Sequence, residues 1–219
     1  MEKPNISQGN PLDYTEIYET LFLFMDNVLY HYKPSKNKKG EDEITQDIEI
    51  FLNDEAHSTD TSLAFQNQYK EGLFTADIGV YLRSNNYRFC WIEAKRLPTP
   101  NEKNDRDERE YVIVSQDKKE NGKRKFKGNG GIQRFKEGKH APNRPYSIMI
   151  GYIQDNNTVD YWLSKINGWI TELVDAGNGF WSNEDYLNKY TPNKCDRFLS
   201  VHKRKDRSKL TLHHYWIKL

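Results

Sequence analysis

The sequence contains only two cysteines, Cys90 and Cys195, in 219 residues, so it can build neither a disulfide framework nor a cysteine-rich zinc site. Its apolar runs are short, and Asp26 and Asn27 interrupt the longest of them, Leu21 to Tyr30. A membrane span needs about 18 apolar residues. The first residues form neither a basic start nor an apolar signal segment. We therefore expect a soluble protein of the cytoplasm.

Aromatic side chains are abundant, with 5 Trp, 14 Tyr and 10 Phe. Disordered chains are poor in such residues, because they cannot bury enough apolar surface to offset the entropy of ordering. The length fits one domain with a full core, and we predict a single domain over residues 1–219. The chain has no P-loop, no G-x-G-x-x-G and no G-x-S-x-G, which disfavours nucleotide-binding loops and serine-hydrolase elbows.

Positive and negative charges almost cancel over the chain, to a net +1, but they are unevenly distributed. Residues 1–70 hold 6 Lys/Arg against 13 Asp/Glu, whereas residues 118–140 hold 9 against 2 and residues 194–219 hold 8 against 2. Clustered Lys and Arg are what a phosphate-binding face requires. Solvated loops are the alternative explanation of such runs.

Hydrophobic periodicity predicts a mixed α/β fold. Helical spacing of apolar residues predicts helices at 13–32, 42–53 and 159–174 and a short helix at 131–136. Apolar and β-branched runs predict strands at 73–82, 87–95, 111–114, 146–153, 195–202 and 210–219. We expect loops at 54–70 and over the remainder of 96–130. On the two late strands, His202 and His213 are candidates for cross-strand neighbours.

The hairpin formed by the strands at 73–82 and 87–95 carries Asp77, Glu93 and Lys95. Glu93 and Lys95 are two residues apart on a strand, so they share one face. A three-residue turn would set Asp77 opposite Glu93, and a shift of one residue would separate them. Facing carboxylates repel, and a divalent cation with oxygen ligands would offset that cost. An exposed salt-bridge patch is the alternative.

An Asp on one strand followed by Glu-x-Lys at the end of the next is the motif of the PD-(D/E)xK phosphodiesterase superfamily. This chain resembles that superfamily in Asp77, Glu93 and Lys95, although Ala76 stands where the family pattern has Pro. The order of helix, Asp strand, Glu-x-Lys strand, helix and strand over roughly residues 41–153 is also similar. The resemblance implies a restriction-endonuclease-like α/β core, with a central mixed β-sheet flanked by helices.

The resemblance implies a metal-dependent nuclease and assigns roles to particular residues. Mg²⁺, or Mn²⁺ in its place, would be held by Glu43, Asp77 and Glu93; Lys95 would orient the attacking water, and Gln133 would assist. Asp47 has a better helical phase than Glu43, but the family pattern has a Glu in this helix, so we favour Glu43. Arg134 competes with Gln133 for the role of the helix residue.

Two basic segments are the predicted contacts to nucleic acid. Their residues are Lys123, Arg124, Lys125, Lys127 and Arg134 in the first and Lys203, Arg204 and Lys205 at the tip of a late hairpin. The resemblance favours DNA and suggests genome defence or DNA repair. No membrane partner is expected, and a homodimer or a partner protein would provide targeting. The alternatives are a non-catalytic nucleic-acid-binding or partner-binding module on the same fold and an RNA-directed nuclease of the toxin type.

Overall fold

The computed structural model describes residues 14–34, 40–71, 74–98, 108–120, 123–127, 130–177, 179–190 and 195–219. The elements in chain order are α1 (Tyr14–Val28), α2 (Glu41–Ser58), β1 (Leu63–Glu71), β2 (Phe74–Leu82), β3 (Tyr87–Leu97), β4 (Val114–Glu120), β5 (Lys123–Lys127), α3 (Gly131–Lys136), β6 (Tyr146–Ile153), α4 (Val159–Asp175), β7 (Asn188–Lys189), β8 (Asp196–Lys203) and β9 (Lys209–Lys218). No helix within these ranges is long and apolar enough to cross a membrane.

Seven strands form one mixed sheet in the order β1-β2-β3-β6-β9-β8-β7. β1, β2 and β3 are an antiparallel meander, β6 lies parallel to β3, and β9 lies parallel to β6. A parallel neighbour cannot be reached through a tight turn, so the chain crosses from β3 to β6 by way of β4, β5 and α3. The predicted α/β class, with a mixed sheet flanked by helices, is confirmed.

Helices cover both faces of this sheet. α1 and α2 pack on one face in a cluster with Ile78, Ile92 and Ile150, whereas α3 and α4 pack on the other face with Trp91 and Met149. The helical stripe predicted for α1 is buried in full, and its members are Ile17, Leu21, Phe24, Met25, Val28 and Leu29. Amphipathic helices therefore cover both faces of the sheet, and the spacing of their apolar residues predicted which side of each helix is buried.

Three segments differ from the sequence-based expectation. The expected loop at 54–70 is the end of α2 followed by β1, an edge strand whose polar residues resemble those of a loop. The Asn53 side chain holds this strand, because its amide accepts the N–H of Phe65 and donates to the carbonyl of Phe65. The expected strand at 111–114 is mostly a turn. The segment after it is not irregular but forms a two-stranded sheet of β4 and β5.

The turn before β4 holds the N-terminus of α3. The N–H groups of Gly131 and Ile132 donate to the carbonyls of Glu110 and Tyr111 at 2.8 and 3.1 Å. A side chain at Gly130 would lie 2.2 Å from the Cα of Ile113, so only glycine permits this approach. These contacts place α3 beside the end of β3, where the acidic residues lie.

A buried chain of hydrogen bonds holds the other side of α3. Its members are Lys136, Asp185, His202, Ser200, His214, Tyr111 and Trp216, each bonded to the next at 2.6 to 3.0 Å. If both imidazoles are neutral, donation runs from Trp216 by way of Tyr111, His214, Ser200 and His202 to the Asp185 carboxylate, which also accepts from the Lys136 ammonium. Burial lowers the pKa of His202 and of His214 accordingly. Ser200 is buried, so it cannot act as a nucleophile on a substrate.

The expected pairing of His202 with His213 is wrong. In the sheet His202 faces Leu210, and His213 faces Leu199. Lys203 pairs with Lys209 at the tip, and this register sets His202 opposite Leu210, three residues before His213 on β9. His202 instead contacts His214 through the hydroxyl of Ser200.

Replacing Asp185 by Ala should lower the free energy of unfolding by about 3–5 kcal/mol, because it leaves the buried Lys136 ammonium without its carboxylate. Burial already lowers the pKa of Lys136, which shows how poorly this site accommodates an uncompensated charge. Urea denaturation measures the change. The matched control is Asp160→Ala, because Asp160 is exposed and pairs with Lys189. This substitution should lower the free energy of unfolding by less than about 1 kcal/mol. Equal losses in the two variants would contradict this account.

Candidate functional site

The hairpin of β2 and β3 has the predicted register near the acids, although its turn differs from the predicted one and β3 contains a bulge. Leu82 pairs with Tyr87, so the turn has four residues rather than three. A bulge in β3 at Phe89 then shifts the ladder by one residue, and Ile78 pairs with Ile92 as expected. The expected turn is therefore wrong, while the register beside the acids is the predicted one.

Asp77 lies just beyond the last described pair of this ladder, Ile78 and Ile92. Its Oδ2 accepts the backbone N–H of Ala94 at 2.7 Å. A side chain thus occupies a position that a backbone carbonyl takes elsewhere in the ladder. This bond holds the Asp77 carboxylate against β3, the strand that carries Glu93 and Lys95.

Among the described residues, three nitrogen-bearing side chains surround the buried carboxylate of Glu93. Its Oε1 lies 3.0 Å from the Lys95 ammonium and 3.3 Å from the Arg134 guanidinium, and its Oε2 lies 3.2 Å from Nδ1 of His140. Arg134 belongs to α3, and His140 follows that helix. The crossover connection therefore supplies two of the three groups around this carboxylate.

Lys95 joins Glu93 to the start of α2. Its ammonium lies 3.2 Å from Oε1 of Glu41 and also donates to the carbonyl of Ala94 at 2.8 Å. The second oxygen of Glu41 accepts the N–H of Arg96 at 3.3 Å. Glu41, Asp77, Glu93 and Lys95 thus converge at the carboxyl end of β3. We call these four residues the acidic cluster.

The surroundings shift the pKa values of the two strand acids, Asp77 and Glu93, in opposite directions. Burial and the nearby charge of Glu93 raise the pKa of Asp77 to about 7. The Lys95 ammonium and the Ala94 N–H lower this pKa, but their effect is smaller. Burial also disfavours ionised Glu93, but Lys95, His140 and Arg134 outweigh it and lower its pKa to about 2. At neutral pH the cluster therefore holds an ionised Glu93 beside an Asp77 that is close to half protonated.

Lys95 remains a cation in this setting. Burial by itself would lower the pKa of Lys95, but the carboxylates of Glu93, Glu41 and Asp77 together raise it well above its usual value. A lysine that keeps its proton at neutral pH cannot serve as a general base. It can donate hydrogen bonds and oppose negative charge.

The helix acid in the cluster is Glu41, not the predicted Glu43. The carboxylate of Glu43 accepts the N–H of Gly40 at 3.3 Å and caps α2, and Asp47 accepts the hydroxyl of Tyr32 at 2.9 Å. The helix meets the end of β3 with its first residue rather than with its side. Helical phase therefore could not select the residue, although the acidic first turn, Glu41 to Glu43, contained it.

On α3 it is Arg134, and not Gln133, that reaches the acidic cluster. The Gln133 amide donates to Glu137 at 3.0 Å. Its carbonyl oxygen is buried and has no hydrogen-bond partner among the described residues. The structure therefore brings Asp77, Glu93 and Lys95 together as predicted, replaces Glu43 by Glu41, and favours the competitor Arg134. His140 had no signal in the sequence.

Apart from Arg134, the predicted basic contacts divide into three groups. Arg204 is buried, and its guanidinium donates to the carbonyls of Phe135 and Ala141 at 3.3 and 2.7 Å, so its assignment to a nucleic-acid surface is wrong. Lys203 and Lys205 are exposed. Of the segment with Lys123, Arg124, Lys125 and Lys127, only the backbone of β5 is described, and the positions of these side chains lie outside the description.

The chemistry of the cluster suits a hard divalent cation, because Glu41, Asp77 and Glu93 offer carboxylate oxygens. In the described part of the chain, however, no group of three or more His, Cys, Asp or Glu side chains is arranged so that it could hold a metal ion. The Lys95 ammonium lies between Glu41 and Glu93 and provides the positive charge there. The donor types fit Mg²⁺, whereas the present contacts are those of an ion-pair network.

Comparison with known proteins gave no match. The chain matched no protein-family model, no curated protein and no solved structure.

Proposed function

We propose that this protein is a metal-dependent nuclease that hydrolyses phosphodiester bonds, with DNA as the favoured substrate. One observation carries the proposal: three carboxylates and one lysine, drawn from α2, β2 and β3, meet at the carboxyl end of a central strand. Burying acids together is costly unless something compensates their charge. A site that retains them has a use for concentrated negative charge.

Asp77, Glu93 and Glu41 would hold Mg²⁺ or Mn²⁺ in this proposal. The cation would neutralise charge on the phosphate and lower the pKa of a bound water. Lys95, as a permanent cation, would orient the attacking water and oppose charge in the transition state. Glu41 takes the place that the sequence assigned to Glu43.

The order of the elements supports the restriction-endonuclease-like core of this proposal. An antiparallel meander delivers Asp77 and Glu93 on adjacent strands, and a parallel strand, β6, follows after the crossover through α3. This is the order of elements expected from the motif. Cytoplasmic location, a role in genome defence or repair, and a homodimer or partner protein for targeting belong to the same proposal.

A non-catalytic nucleic-acid-binding module is the second candidate, and one observation favours it. Each acid of the cluster already has a partner within the chain: Lys95 for Glu41 and Glu93, and the Ala94 N–H for Asp77. Such a network can serve stability and specificity alone. The two candidates differ in turnover, not in binding.

Cleavage assays with the purified chain separate these candidates. Supercoiled plasmid, linear duplex, single-stranded DNA, branched DNA and RNA should be incubated with Mg²⁺, Mn²⁺ or EDTA. We expect metal-dependent cleavage of DNA and none in EDTA. Cleavage confined to RNA would support the toxin-type alternative, and binding without cleavage on every substrate would favour the binding module.

Reversing the charge of Lys123, Arg124 and Lys125 should weaken DNA binding and flatten its salt dependence. Each lost phosphate contact removes about 0.9 from the slope of log affinity against log salt on duplex DNA. Fluorescence anisotropy over a range of salt concentrations measures this slope. Reversal at the exposed Lys203 and Lys205 should act in the same way if the late hairpin also touches the backbone. Unchanged slopes in both variants would identify the segments as solvated loops.

A further inference from the structure

Arg134 differs from the other two partners of Glu93 in its exposure to solvent. Its side chain is 31% exposed, whereas those of Lys95 and His140 are each 6% exposed. Lys95 is also held by Glu41 and by the Ala94 carbonyl. Of the three partners of Glu93, Arg134 is therefore the one that can leave at the lowest cost.

A cation that binds Glu93 must compete with the groups already there. Arg134 and Lys95 both contact Oε1 of this carboxylate. Two like charges cannot share one carboxylate oxygen with a divalent ion at close range without strong repulsion. Metal binding at Glu93 thus requires at least one of them to move, and exposure selects Arg134.

A guanidinium released from a carboxylate is suited to a phosphate. Both anions present oxygens that match its planar fork of N–H donors. Arg134 also lies on α3, directly after the basic segment that ends with β5. A phosphate of a nucleic acid brought to the acidic cluster would meet this side chain.

We propose that Arg134 is an exchangeable counter-ion, bound to Glu93 in the absence of metal and to a substrate phosphate when metal is bound. The inference rests on the proposed function and extends it, because it couples metal binding to substrate binding through one side chain. Coupling of this kind is reciprocal, so metal should strengthen DNA binding and DNA should strengthen metal binding by the same factor.

The exchange predicts that Arg134→Gln strengthens metal binding and weakens DNA binding. Without DNA, the variant should bind Mn²⁺ about tenfold more tightly, because a competing positive charge is gone. With Ca²⁺ present, it should bind a labelled DNA duplex more weakly, with a salt slope lower by about 0.9. In EDTA its DNA affinity should match that of the wild type, because Arg134 is then engaged by Glu93. A purely structural role would weaken metal and DNA binding together.

Calorimetric titration with Mn²⁺ alone and anisotropy with duplex DNA in Ca²⁺ or EDTA test the exchange. Lys139→Gln is the matched control, since Lys139 is a nearby cation whose ammonium lies 2.6 Å from Glu137. Thermal unfolding of both variants checks that the fold is retained. Unchanged or weaker Mn²⁺ binding in Arg134→Gln, an equal gain in Lys139→Gln, or no Mn²⁺ binding by either Arg134→Gln or the wild type would overturn the inference.

Failure of the proposed function has a different signature. If Arg134→Gln binds Mn²⁺ more tightly and DNA in Ca²⁺ more weakly than the wild type, but the wild type cleaves no nucleic acid, the nuclease is rejected and the exchange stands. A wild-type protein that cleaves DNA while Arg134→Gln binds Mn²⁺ as the wild type does would reject the exchange alone.

Discussion

Asp77→Asn is expected to lower the rate of Mg²⁺-dependent DNA cleavage by on the order of 10³-fold, because it removes a charged ligand from the proposed metal site. The substitution preserves shape, and an amide oxygen can still accept the Ala94 N–H that Asp77 binds. The loss should therefore appear in turnover and in metal affinity rather than in folding. Initial rates on plasmid DNA measure it.

The difference in stability between Asp77→Asn and the wild type depends on pH. The pKa of Asp77 is about 7 in the folded protein, raised from 3.8, so ionisation of this carboxyl opposes folding. The cost is absent well below pH 4, grows as the pH rises from about 4 to 7, and is complete above 7. Asn carries no such cost, so Asp77→Asn should unfold at a temperature no lower than the wild type at pH 8.

Two observations would contradict this assignment. The first is undiminished cleavage by Asp77→Asn. The second is an equal loss in Glu43→Gln, the control that alters the acid capping α2 instead of the acidic cluster. Glu93 is 1% exposed, so truncation of this side chain would disturb the folded interior. Isosteric variants are therefore preferable to alanine at both positions.

Lys95→Gln is expected to reduce the cleavage rate by about 10²- to 10³-fold while DNA binding in Ca²⁺ persists. A charge aimed at the transition state contributes to turnover and not to ground-state affinity. The substitution removes no proposed metal ligand, so Mn²⁺ binding should remain and can strengthen, because the ammonium between Glu41 and Glu93 is lost.

The control for this second result is Lys165→Gln, which removes a lysine that pairs with Glu108 on the surface. It should cleave DNA at the wild-type rate. Because Lys95 is buried, thermal unfolding must accompany the assay, and the comparison is made at a temperature where both variants are folded. Cleavage by Lys95→Gln at the wild-type rate would make Lys95 a salt-bridge partner only.

The strongest local patterns predicted their elements correctly. The apolar spacing of α1 and α4 and the continuous apolar run of β6 needed no knowledge of their neighbours. Asp77, Glu93 and Lys95 could also be selected from the sequence, since acidic residues in otherwise apolar strands are conspicuous. β1 was missed for the converse reason, because an edge strand with polar residues resembles a loop.

Periodicities of 2 and 3.6 residues over short stretches were enough to predict the α/β class, the apolar faces of the helices and the trio on β2 and β3. Three features emerge from the packing of distant segments alone: Glu41 rather than Glu43 joins the trio, Arg134 rather than Gln133 faces Glu93, and Arg204 is buried. The first two outcomes depend on which residues of α2 and α3 face the end of β3, and the third depends on how the tip between β8 and β9 packs against the end of α3. Neighbouring residues of one helical turn differ little in sequence context, but they diverge by several ångströms in space.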